Sequence, residues 1–110
     1  MAQWSEIYGS HATRRKTYVG KVTNWYDRLS VAEILIESYS IKVGDEYLAI
    51  GQTTGVYEGR VEEVRVDLKP VQEARKGDLC SIPVAFPKDW KGDRKLRRGD
   101  RIYLWVETGE

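Results

Sequence analysis

"RRGDRIYLWV", Arg97 to Val106, is the stretch on which the fold turns. In its second half Ile102, Leu104 and Val106 alternate with Tyr103 and Trp105. That is the period of a strand with one face buried and the other turned outward. Its first half places a basic residue, a spacer and Gly-Asp ahead of the apolar run, and the chain repeats the device. "KVGDEYLAI" runs from Lys42 to Ile50 and "RKGDLCSIPV" from Arg75 to Val84. A fragment, "WKGDRKL", starts at Trp90 and lacks the apolar run. A catalytic loop normally occurs once, so the repetition marks a structural turn. Glycine permits positive φ, and the aspartate hydrogen-bonds the backbone as the next strand begins.

The rest of the chain carries the same period of two. "LSVAEILIE", Leu29 to Glu37, sets Ala32, Ile34 and Ile36 against Val31, Glu33, Leu35 and Glu37. "TYVGKVTNWY" places Tyr18, Gly20 and Val22 on one face, and "CSIPV" points Cys80, Ile82 and Val84 inward. Pro83 lacks a ladder donor, which puts that strand at an edge or beside a bulge. In "GVYEGRVEEVRVDL" the apolar phase slips at Glu62-Glu63, as a bulge or a barrel corner requires. "EYLAI" has no clean alternation, and "PVQEARKG" has room for at most one helical turn. Six short strands without a long helix predict an all-β fold, a small closed or nearly closed barrel over residues 17–107 behind a linker or arm, 1–16.

Composition bounds the function. At 110 residues the chain is one domain, and its 41% hydrophobic and 32% charged content is that of a globular protein. No apolar run has the length of a membrane span and the N-terminal residues form no signal-peptide core, so the expectation is a cytoplasmic protein without a membrane partner. One cysteine, Cys80, and one histidine, His11, are too few for a Cys/His zinc site. Cys80 falls on the apolar face of its strand, where a thiol behaves as a small hydrophobe. The carboxylate pairs Glu62-Glu63 and Asp45-Glu46 are strand neighbours that point to opposite faces and do not converge. The glycines follow neither a phosphate-loop nor a dinucleotide spacing. The expectation is a chain that is not itself an enzyme and needs no cofactor.

Charge is the uneven quantity. The net charge is +1, yet Lys88 to Arg101 holds seven basic residues against three aspartates. Lys88, Lys91, Arg94, Lys95, Arg97 and Arg98, with Arg14, Arg15 and Lys16 near the N-terminus, make a candidate RNA-binding set. Trp90 lies within it and either offers a base a stacking face or folds back over one end of the core. Trp25 and Tyr26 pose the same choice. Tyr103 and Trp105, opposite the buried face of their strand, are candidates for docking a protein.

The ordered motifs carry a resemblance. "YGSHATRRK" (Tyr8 to Lys16), "VGKVTN" (Val19 to Asn24), "VGD" (Val43 to Asp45), "TTG" (Thr53 to Gly55) and "VEEVRVDLKPV" (Val61 to Val71) together resemble the β-barrel that closes the chain of collagenase-like peptidases of family U-32. That barrel is similar to the second domain of translation elongation GTPases. The resemblance implies an accessory domain of a larger enzyme whose active site lies elsewhere. It also implies a partner in the catalytic domain of the parent or of an associated enzyme. By analogy with the elongation factors it implies RNA such as tRNA. The cysteine cluster that holds an iron–sulfur centre in some relatives has no counterpart here. The segment "AFPKDWKGDRKLRRGD", Ala85 to Asp100, is longer and more basic than the usual link into the last strand.

Overall fold

The computed structural model describes residues 14–107. They form ten strands and no helix: β1 (Arg14–Tyr26), β2 (Val31–Ile36), β3 (Ser40–Lys42), β4 (Glu46–Gly51), β5 (Gly55–Arg60), β6 (Val64–Val66), β7 (Lys69–Val71), β8 (Glu73–Arg75), β9 (Leu79–Pro83) and β10 (Arg101–Glu107). Eight of them make one antiparallel sheet in the order β5-β4-β10-β1-β2-β9-β6-β7, and β3 pairs with β8 in a second. The stretch 70–77, which left room for at most one helical turn, contributes instead to β7 and β8, and β8 sets Ala74 opposite Ile41, both buried. β1 begins at Arg14, ahead of the boundary expected at residue 17.

The three Gly-Asp repeats share one geometry. Asp45, Asp78 and Asp100 each donate a backbone N–H to the carbonyl three residues back, on Lys42, Arg75 and Arg97, at 2.9–3.1 Å. Each carboxylate also accepts the N–H of that same residue at 2.8–2.9 Å. The intervening Gly44, Gly77 and Gly99 have φ of 94–97°, the left-handed conformation that the third residue of a type II turn demands. Each turn feeds a strand: β4, β9 and β10.

One face of the large sheet makes the core. Ala32, Ile34 and Ile36 of β2, Cys80 and Ile82 of β9, and Ile102 and Leu104 of β10 are buried in the expected phase, with Val84 beyond β9. Strand β1 departs from it. A register shift between Tyr18 and Gly20 buries Val19 and turns Tyr18 to the outer face, beside Tyr103. The expectation that Tyr18 shares a face with Gly20 and Val22 fails there, because a bulge advances the side-chain phase by one.

The hydrogen-bonded ladder is open, and the closed barrel of about six strands is not formed. Strand β5 leaves β4 at Arg60, the chain turns through 61–63, and it resumes as β6 beside β9. Between β5 and the residues after β9 no ladder forms among the described residues. Pro83 has no N–H to offer, and the phase slip at Glu62-Glu63 turns the backbone away. The sheet nevertheless curls around its core. Tyr57, on edge strand β5, donates its hydroxyl to the carbonyl of Ala85 at 2.9 Å, across the seam.

Candidate docking face and basic segment

The outward side of β10, β1 and β4 is aromatic because of register. Tyr103 stands between Tyr18 of β1 and Leu48 of β4, and Trp105 stands beside Lys16. The Tyr18 and Tyr103 rings meet edge-to-face at 5.6 Å and 68°. The Lys16 ammonium lies 4.9 Å from the Tyr103 ring centre, a cation–π contact. Leu48 is 4% exposed although it faces away from the core, covered by this layer. The Tyr18 hydroxyl donates to Glu37 Oε1, and Lys21 approaches the same carboxylate at 3.8 Å. Burial first, then the hydrogen bond to Glu37, pushes the Tyr18 phenol up to about 12. Trp105 borders a shallow depression of about 370 Å³ with Glu46, Glu58 and Arg60. Arg60 pairs with Glu46 at 3.4 Å.

The sequence points to Tyr103 and Trp105 for this face, places Lys16 in the candidate RNA-binding set, and gives no sign of Tyr18 or Leu48. The bulge hides Tyr18. "EYLAI" hides Leu48, because Tyr47, Leu48 and Ala49 are all buried, two from one side of the sheet and one from the other. The next row across the sheet sets Lys21 opposite Arg101, with Ile50 and half-buried Leu35 flanking them.

The basic segment is partly spent on holding its own loop. Arg94 donates to the carbonyls of Phe86, Pro87 and Lys88 at 2.9–3.3 Å. Arg97 pairs with Asp93 at 2.7 Å. Trp90 donates its indole N–H to the Asp93 carbonyl at 2.9 Å, and its ring packs on Phe86 and Tyr57 at 5.1 and 5.7 Å. Trp25 joins the same cluster through Phe86 at 6.3 Å. Of the two roles open to Trp90, the structure gives it packing at one end of the core. Lys88, Lys91 and Arg98 are exposed and Lys95 half-buried, with no ion pair among the described residues. Arg15 and Lys16 are exposed on β1, away from that loop; the Arg14 side chain and His11 lie outside the described residues.

The remaining candidate, Cys80, lies in the core. Cys80 is 1% exposed, and burial, reinforced by Asp78 and Glu33, pushes its thiol up to about 12. A thiol so placed is neither a nucleophile nor a metal ligand at neutral pH. Among the described residues no three His, Cys, Asp or Glu side chains gather as a metal site would require. No helix of the described residues is long and apolar enough to cross a membrane.

Along all of its 110 residues the chain is 44% identical to a collagenase of Porphyromonas gingivalis. It is homologous to part of a collagenase. Over 103 residues it is 38% identical to an uncharacterized protease of Methanocaldococcus jannaschii. It spans only about a quarter of these relatives, 28% of the first and 23% of the second. No protein-family model matches the chain. Its fold matches the C-terminal domain of a U32 peptidase-type protein from Geobacillus thermoleovorans, with a TM-score of 0.67 over 80% of this chain and 91% of that one, at 14% identity. The selenomethionine variant of that domain matches with a TM-score of 0.65, at 15% identity and over 77% of this chain and 95% of that one. At such identities the match speaks for the fold alone.

Proposed function

We propose that the chain is a non-catalytic accessory module of a collagenase-type, U32 peptidase-like protein, docked on the catalytic portion through the outer face of β10, β1 and β4. The observation that carries this reading is the aromatic layer of Tyr18, Tyr103 and Trp105 over Leu48, on a chain that corresponds to a quarter of its relatives. Aromatic residues set beside a few charges form the usual centre of a protein interface. The test uses the Porphyromonas gingivalis collagenase with its matching quarter deleted, titrated with this chain in a calorimeter. Tyr103→Ala with Trp105→Ala is expected to weaken association at least tenfold while the melting temperature moves little. Absence of association with the unaltered chain overturns the reading.

A second reading rests on Lys88, Lys91, Lys95 and Arg98, the cations of the loop that no ion pair among the described residues occupies. We propose them as an RNA contact. Charge of this kind binds phosphates by releasing counterions. The affinity for tRNA is then expected to fall steeply with salt, and Lys88→Ala with Lys91→Ala to flatten that slope. Binding that is absent, or indifferent to salt, removes it.

A further inference from the structure

The seam that leaves the ladder open is a shaped site. On one side runs β5, which pairs with β4 along one edge and, among the described residues, has no strand on the other. On the other side runs the chain from Pro83 to Pro87, and between them lies a cleft of about 430 Å³. Its walls are apolar where Leu29, Val84, Ala85 and Pro87 line them, and Leu29 is 71% exposed. The Tyr57 ring, buried against Phe86 at 4.9 Å, floors the cleft and is tied to Ala85. Glu58 and Glu62 border it, and the one cation there, Arg60, is paired with Glu46.

Three features converge on one occupant. A strand edge offers backbone N–H and C=O groups at fixed spacing, which only another extended backbone matches in register. The far wall offers few donors, since Pro83 and Pro87 lack an N–H and the Val84 N–H is bound to the Ser30 carbonyl. Incoming hydrogen bonds therefore belong to β5 and apolar contacts to the far wall. The two carboxylates give the cleft an acidic rim. We infer that the β5 seam binds a short extended peptide, added as a strand to β5, with apolar side chains over Tyr57 and a lysine or arginine toward Glu58 and Glu62. The volume suits a few residues and not a folded element. The cleft meets the depression beside Trp105 at Glu58, Gly59 and Arg60, and only the cleft is walled by Leu29 and the chain from Pro83 to Pro87.

The probe is an acetylated, amidated pentapeptide alternating valine and lysine, titrated into the isotope-labelled full chain and followed by NMR. Saturable amide shifts are expected at 55–60 and 83–87, with slowed hydrogen exchange along β5. The same peptide N-methylated at alternate residues is expected to bind at least tenfold more weakly, because a methylated amide cannot donate. A valine–glutamate analogue is expected to be at least fivefold weaker. Ala85→Arg, on an exposed position of the far wall, is expected to weaken binding about tenfold at an unchanged melting temperature. Shifts confined to the outer face, or equal binding of the N-methylated peptide, overturn the proposal. Because collagenase docking is measured separately, either proposal can fail without the other.

Discussion

The hydroxyl of Tyr57 donates to the carbonyl of Ala85 and so ties edge strand β5 to the far side of the open seam. The neighbouring Tyr47 hydroxyl is buried beside that of Tyr57 and completes no hydrogen bond of good geometry among the described residues. The two tyrosines, with rings 5.9 Å apart, therefore respond oppositely to loss of oxygen. Tyr57→Phe is expected to destabilise by about 1 kcal/mol, the net worth of one hydrogen bond. Tyr47→Phe is expected to be neutral or stabilising by up to about 1 kcal/mol, since it removes an unsatisfied buried group. Urea denaturation of both variants decides the pair.

The Gly-Asp turns are alike in backbone but not in surroundings. Asp100 is 5% exposed and accepts a second bond, from Thr54 Oγ1 at 2.5 Å. A β-carbon on Gly51 would collide with its carboxylate. Asp100→Ala is expected to cost about 2–3 kcal/mol, because it strips two charge-assisted bonds from a buried place. Asp45→Ala, at a less buried turn, is expected to cost about 1 kcal/mol. Equal losses by thermal denaturation would refute the ranking.

Leu68 occupies the second position of the two-residue turn between β6 and β7. Its φ is 68°, that of Asp67 is 55°, and its side chain is 88% exposed. Both values mark a type I′ turn, for which Asp-Gly is a favoured pair. Leu68→Gly is expected to stabilise by about 1 kcal/mol, since glycine escapes the penalty an L-residue meets in the left-handed region. A lower melting temperature would contradict it.

Cys80 gives the fold an alkaline limit. Its thiol is raised from an ordinary value of 9.0 to about 12 by burial. The unfolded chain therefore binds fewer protons than the folded one between these values. The contribution is fully present below pH 9 and lost as pH climbs toward 12, at up to about 1.4 kcal/mol per unit. Cys80→Ala is expected to flatten the decline of stability between pH 9 and 11, read from urea midpoints. The unaltered protein is expected to resist iodoacetamide at pH 8 until it is unfolded.

Alternation and turn chemistry are local, and the sequence carried them legibly. Ile34 and Ile36, Cys80 and Ile82, and Ile102 and Leu104 declare their buried face through their neighbours alone. Gly44, Gly77 and Gly99 declare the corners, because positive φ is a property of the residue. Tyr103 and Trp105 could be read as outward for the same reason. What needed three dimensions is whatever depends on a residue distant in the chain. The bulge that turns Tyr18 toward Tyr103 leaves no mark in composition. Trp90 joins the core because Tyr57 and Phe86 come to meet it, and Arg94, still exposed, is held by three carbonyls 6–8 residues before it. The open seam is the last such decision. Each strand has the pattern of a barrel, but closure is a property of the whole circuit, and at Pro83 and Glu62-Glu63 the two ends arrive without the donors and phase to join.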